Sequence, residues 1–139
     1  MSLRSAVDAG LERSIAGSFS RIGPAVRRRL FGWDSLATHR LDGRTAVVTG
    51  ATSGLGATAA TWLARLGADV VILVRDTDRG ARVARVIERS TRARVDVVRA
   101  DMGDLASVRD AAAALGGRPI DLLVHNAGAL TAERRVTGQ

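Results

Sequence analysis

The stretch VVTGATSGLG, Val47 to Gly56, sets three glycines within seven positions directly behind a β-branched apolar run. Thr45 to Thr49 is short, apolar and β-branched, as a buried strand requires. The run from Leu55 to Leu66, which carries Trp62, Leu63 and Leu66, has the length and composition of a helix. A glycine cluster between a strand and a helix is a turn with room for a ligand. Gly50 lets the chain leave the strand sharply, Gly54 removes a side chain where a backbone must come close to a bound group, and Gly56 lets the helix lie against the sheet.

Outward from this turn the pattern is regular. Gly67 closes the first helix at its C′ position, and Asp69 to Val74 is a second apolar strand. A helix over Arg79 to Arg89 puts Val83, Val86 and Ile87 on one side, and Val95 to Arg99 is the next strand. Asp104 is placed to cap a helix running through Leu115 with Leu105, Val108, Ala112 and Leu115 on one face. Ile120 to Val124 is the fourth strand. Nearly continuous apolar strands alternating with helices of ten to fifteen residues describe a parallel sheet covered on both faces. Right-handed crossovers then put the first two of these helices on one face and the third on the other, with strand order 3-2-1-4. The expected fold is a doubly wound α/β unit of the Rossmann type, incomplete at four strands, with the fourth strand left as an open apolar edge.

In that setting the glycine turn is a dinucleotide site. The start of the helix offers unpaired N–H groups and a partial positive charge to a pyrophosphate, and the hydroxyls of Thr52 and Ser53 add donors. An enzyme that uses NAD usually sets an acid about twenty residues beyond the glycines to hold the ribose 2′-hydroxyl. Val74 stands there, followed by Arg75, whose guanidinium suits a 2′-phosphate. NADP is therefore the expected cofactor. NAD stays open through Asp76, which a small backbone shift would bring to the ribose.

The spacing Thr49-Gly-Ala-Thr-Ser-Gly-Leu-Gly56, the run His125-Asn-Ala-Gly128 after the fourth strand, and Asp101 just past the third resemble the short-chain dehydrogenase/reductase family, over Leu41 to Gln139. Val74-Arg-Asp76 and the N-terminal extension look most like its retinol dehydrogenase and protochlorophyllide reductase branch. The resemblance implies cofactor contacts from Gly50, Ser53, Gly54, Leu55, Arg75, Asp101, Asn126, Ala127 and Gly128, with Asn126 supporting the central sheet. It implies hydride transfer between NADP(H) and an alcohol or carbonyl substrate. The family's proton-transferring tyrosine and its assisting lysine have no counterpart, since the chain contains neither residue type. No catalytic residue is therefore assigned. The chain is expected to be the cofactor-binding half of such an oxidoreductase, inactive alone; the alternative is a non-catalytic nucleotide-binding or sensor module.

The first forty residues differ in kind. Leu3, Val7, Leu11, Ile15 and Phe19, then Ile22, Val26, Leu30 and Trp33, form an apolar stripe with interleaved arginines, read as one or two amphipathic helices broken at Gly23-Pro24. This gives a domain division of 1–40, a basic helical extension, and 41–139, a dinucleotide-binding domain. The stripe is expected to pack on its own domain or on a second subunit, which leaves a homo-oligomer open. Peripheral contact of residues 1–33 with a membrane surface is the less favoured reading.

All 21 basic residues of the 139 are arginine, against 14 acids, for a formal charge of +7. Eight of those arginines and only four acids fall within residues 1–44. With no helix-turn-helix, zinc-finger or aromatic stacking signature beside that charge, nucleic-acid binding is not expected. A chain without cysteine builds no disulfide framework and no thiolate metal site, and a cytoplasmic location is the expectation. His39 lacks the partners of a metal ligand, and no metal site is read.

Overall fold

The computed structural model describes residues 6–7, 22–32 and 38–129. The chain separates into two compact units, Met1–His39 and Arg40–Gln139. In the first, the described helix is α1, Ile22–Phe31, with Arg28 and Arg29 in its last turn. Gly23-Pro24, expected to interrupt the helical stretch, sits instead within the first turn of α1. Proline is tolerated there because its missing N–H has no intrahelical acceptor. The stripe positions Leu3, Leu11, Ile15, Phe19 and Trp33 lie outside the described residues.

The second unit runs β1 (Thr45–Thr49), α2 (Gly54–Arg65), β2 (Asp69–Val74), α3 (Thr77–Thr91), β3 (Val95–Arg99), α4 (Leu105–Ala114) and β4 (Leu122–Val124). The four strands form one parallel sheet in the order β3-β2-β1-β4, the order expected from the sequence and consistent with right-handed crossovers. Val48 pairs with Ile72 on one side and Val124 on the other, so β1 is the centre of the sheet. Alternate residues face opposite ways. Ala46, Val48, Val70, Ile72 and Val74 pack beneath Ala60 and Ala64 of α2 and Ala84 and Ile87 of α3, whereas Val47, Val71 and Leu73 pack with Ala111 of α4 on the other face. Two helices on one side and one on the other is the doubly wound arrangement read from the sequence.

The helices bury smaller faces than their large residues suggest. α2 buries Gly56, Ala60 and Ala64, each four apart, and leaves Trp62 half-exposed with Arg65 over its ring at 5.2 Å. α3 buries Gly80, Ala84 and Ile87 and leaves Val86 outside. α4 buries Ser107 and Ala111 while Leu105 is exposed. These correct the expected faces of α3 and α4. A row of small residues brings a helix axis close to a flat valine surface, and β-branched side chains of the sheet then fill the contact. At Gly80 a Cβ would stand 2.7 Å from Val74 Cγ2 and 2.9 Å from Val97 Cγ1, which shows how near α3 runs.

Several element boundaries differ by one or two residues, and two of them have a visible cause. α3 begins at Thr77, two residues before the expected start, because Asp76 is its N-cap and accepts the Arg79 N–H at 2.9 Å. β4 begins at Leu122 and not at Ile120, since the Asp121 side chain takes the place of a ladder partner: its Oδ2 accepts the Thr45 N–H at 2.8 Å.

Candidate functional site

The carboxyl ends of β1, β2 and β3 and the segment after β4 surround a cleft of about 950 Å³. This is the place where an open parallel sheet with a reversal of strand order holds a ligand, here between β1 and its neighbour β4.

Gly50 carries the turn out of β1. Its φ of +66° suits glycine, and a Cβ would stand 2.9 Å from Ala127 Cα and 3.1 Å from Ala127 Cβ. The residue is therefore required twice, by conformation and by the approach of the 126–128 segment. Gly54 has φ +56° but nothing within 4 Å of a notional Cβ, so its space is open toward the outside of the protein. Gly56 is the packing glycine: a Cβ there would strike the Asn126 amide nitrogen and stand 2.6 Å from the Gly50 carbonyl.

Thr49 ties these pieces together. It is 2% exposed, and its hydroxyl accepts the N–H of Asn126 at 3.0 Å and of Ala127 at 2.9 Å while donating to the Val124 carbonyl at 3.4 Å. One donor and two acceptors exhaust what a hydroxyl has. The Asn126 side chain adds Nδ2 donation to the carbonyls of Thr49 at 3.2 Å and Gly50 at 3.3 Å. Asn126 thus acts on the glycine turn, holding its first two carbonyls, and Thr49 holds Asn126. Thr49 was not among the expected site residues, although a threonine ending a buried strand beside the first glycine was a signal that could have found it.

The start of α2 is left unsatisfied by side chains. Ser53 is its N-cap residue but makes no side-chain cap bond, and no acid lies in the first turn. Among the described residues its hydroxyl and the first N–H groups of the helix have no partner and can meet an anion, with the helix dipole in support. Across the cleft, Asp101 is fixed: its N–H donates to Ser107 Oγ at 3.0 Å and its Oδ1 accepts the Gly103 N–H at 2.9 Å. Ser107, 7% exposed, is a second supporting residue with no signal in the pattern, because it stands six positions and a turn beyond Asp101.

Val74 is 2% exposed and belongs to the core beneath α3. The side chain available at the end of β2 is that of Arg75, which is exposed, lines the cleft and has no ion pair or hydrogen bond among the described residues. Asp76 caps α3, so presenting it to a ligand would cost that cap, typically about 1 kcal/mol. Of the expected site residues, Gly50, Ser53, Arg75, Asp101, Asn126, Ala127 and Gly128 line the one cleft. Gly54 and Leu55 do not; they stand in the first turn of α2, and Leu55 is 82% exposed, which leaves backbone N–H groups as what they offer. Among the described residues no cluster of His, Cys, Asp or Glu converges as a metal set, and no helix is long and apolar enough to cross a membrane.

Sheet order, glycine turn and cleft define a Rossmann-type unit. A family model described as short chain dehydrogenase matches residues 44–137, and the chain belongs to that family. It is 47% identical over 91 residues to human dehydrogenase/reductase SDR family member 13, covering 63% of this chain and 24% of that protein. It is 34% identical over 110 residues to human retinol dehydrogenase 11, covering 77% and 35%. Among solved structures, L-sorbose reductase from Gluconobacter frateurii, complexed with NADPH and L-sorbose, superposes with a TM-score of 0.63 at 31% identity over 68% of this chain and 37% of that one. The chain thus spans about a third or less of the length of these relatives.

Proposed function

We propose that residues 41–139 are the dinucleotide-binding unit of an NADP-dependent oxidoreductase of the retinol dehydrogenase-like branch, passing hydride between NADP(H) and an alcohol or carbonyl substrate. One observation carries the cofactor choice: at the end of β2 the nearby acid, Asp76, is spent on capping α3, while the guanidinium of Arg75, on the cleft wall, has no partner among the described residues. The residues present fit the group. An uncapped helix start and an open glycine turn suit the pyrophosphate, Asp101 suits the adenine amine, and Arg75 suits the 2′-phosphate with charge-assisted bonds. Asn126 and Thr49 position the turn without reacting. The NADPH named with L-sorbose reductase and the likeness to retinol dehydrogenase 11 support the same reading.

When bound, the nicotinamide supplies or accepts hydride. The proton that must move with it needs a general acid–base group, a contribution of roughly 10²–10⁴-fold. Residues 1–139 contain no tyrosine or lysine for that role. The 139-residue chain therefore binds NADP without turnover, and oxidation or reduction by it after removal of contaminating dehydrogenases would overturn this part of the reading.

The test of the cofactor assignment is a titration of NADPH and NADH against the native chain and Arg75→Ala. NADPH affinity should fall by about 1.5–3 kcal/mol, the range for bonds to charged groups, and NADH affinity should move by only a few tenths. Equal losses for both would show that Arg75 does not meet a 2′-phosphate.

A further inference from the structure

The far end of α3, away from the cleft, carries a row of arginines that the core does not use. Arg85, Arg89 and Arg92 stand at i, i+4 and i+7, on one helix face, and all three are exposed. None of their guanidiniums has an ion pair or hydrogen bond among the described residues. Glu88, three residues after Arg85 and four before Arg92, is spaced to pair with both, yet its Oε1 accepts the Val95 N–H at 3.2 Å. The hydroxyls of Ser90 and Thr91 donate to the Ile87 carbonyl at 3.0 and 2.8 Å. The row therefore keeps its charge uncompensated. The backbone marks the same row, because Arg92 ends α3 in the left-handed conformation at φ +63°. Every other described residue with positive φ is a glycine. A side chain is disfavoured there, and strain of this kind collects at functional positions.

We propose that the outer face of α3 docks an acidic helix of a partner protein, whose carboxylates meet Arg85, Arg89 and Arg92 in turn. Guanidinium forks on successive helical turns suit carboxylates repeated at the same spacing, which an antiparallel partner helix presents as i, i+3 and i+7. A second copy of the chain does not supply them: its 14 acids nowhere fall at i, i+4, i+7 or at i, i+3, i+7. Residues 77–99 contain no aromatic side chain on which a base could stack. Val86 alone among the large hydrophobic residues of α3 is exposed, which leaves little for a lipid surface to take up. Charge, spacing and the lack of stacking or inserting groups thus favour carboxylates on a protein. This surface is separate from the dinucleotide cleft and does not depend on the cofactor reading.

The experiment is fluorescence anisotropy of the full chain with a labelled, end-blocked, alanine-rich helical peptide bearing glutamates at i, i+3 and i+7, against the same peptide bearing glutamines. At low salt the glutamate peptide should bind saturably and at least roughly tenfold more tightly, and the gap should close as salt screens the surface pairs. Arg85→Gln/Arg89→Gln should erase the preference, with unfolding curves confirming that the variant folds and NADPH titration unchanged. Arg92→Gly should act in two opposite directions: it raises the urea midpoint by relieving the left-handed arginine, and it weakens glutamate-peptide binding by roughly threefold. Arg109→Gln, an equal loss of charge on α4 across the sheet, should leave peptide affinity unaltered. Absence of saturable binding, equal affinity for the glutamine peptide, an undiminished preference in the double variant, or an equal loss in Arg109→Gln would overturn the proposal. Tighter binding of duplex DNA or of phosphatidylglycerol vesicles that depends on Arg85 and Arg89 would assign the row to phosphates and overturn it as well.

Discussion

The two ends of the sheet use side-chain bonds in opposite ways. At the amino ends of the strands, charges are paired with each other or with backbone. Asp121 takes Arg44 at 2.6 Å and the Thr45 N–H at 2.8 Å, Asp96 takes Arg118 at 2.7 Å and Arg94 at 3.0 Å, and Asp42 takes Arg40 at 2.7 Å. At the carboxyl ends the bonds run inward, from Thr49 and Asn126 onto the glycine turn, and the side chains of Ser53 and Arg75 have no partner among the described residues. One end closes the fold. The other holds a shape rigid while keeping donors available, which is what a site must do to bind without first breaking its own bonds.

The sharpest way to break this comparison is at the glycines, which are similar in φ and opposite in surroundings. Gly50→Val meets both a left-handed backbone and Ala127, so it should destabilise the fold by roughly 2–5 kcal/mol. Gly54→Val meets only the backbone penalty inside the protein, about 1–2 kcal/mol, and its branched side chain enters the space proposed for the pyrophosphate. Urea unfolding should rank Gly50→Val well below Gly54→Val, while NADPH titration of the folded Gly54→Val shows binding collapsed at near-native helix content. Unchanged nucleotide affinity in Gly54→Val would remove the pyrophosphate from this turn.

Thr49→Val is next. It keeps the shape of a buried residue and deletes the hydroxyl, so the Ala127 N–H loses its acceptor while the Asn126 N–H keeps the Val124 carbonyl at 3.1 Å. Losing one part-buried hydrogen bond costs roughly 0.5–1.5 kcal/mol, and Thr49→Ser should recover most of it. Denaturation midpoints of the two variants check this. A valine variant as stable as native would mean that the 126–128 segment is held by Asn126 alone.

How far the sequence discloses all this depends on whether the controlling interaction is local. The spans of β1, β2 and β3 are legible to the residue because a buried parallel strand is a continuous apolar run between turn residues. The order 3-2-1-4 agrees with right-handed crossovers in which the third helix of the unit lies on the opposite face from the first two. Helix faces are less legible, since Val86 and Leu105 look like core residues, yet Gly80 and Ala84 of α3 and Ser107 and Ala111 of α4 are among those that fit against the sheet. Asp76 invites reading as a ribose ligand and turns out to cap α3, a local event visible in hindsight as an acid three residues before the N–H it accepts. The hydroxyl of Thr49 meets a segment 77 and 78 residues away, and Ser107 supports Asp101 across a turn. Beyond a threonine standing where a buried strand meets its first glycine, pattern and spacing carry no trace of such contacts.

The smallest expected effect belongs to the amino end, at Asp121. Hydrogen bonding from the Thr45 N–H, and next from Arg44, holds its carboxyl below the ordinary carboxylate value, against a weaker opposing influence of desolvation. A lowered folded-state value means that the folded chain binds the proton less readily than the unfolded one. The resulting stabilisation is fully present above the unfolded value, near ~3.9, and is lost as pH falls through the folded value. Asp121→Asn keeps an acceptor for Thr45 and removes the charge, so its deficit relative to the native chain should be constant through neutral pH and shrink as the pH drops below about 4. Because the pair with Arg44 is on the surface, added salt should reduce the same deficit at pH 7. Urea unfolding at pH 7 and pH 3, with and without salt, gives both slopes. A deficit that grows toward acid pH would mean that protonation of Asp121 strengthens the start of β4, and the contrast between a closed amino end and an open carboxyl end would then lose one of its main supports.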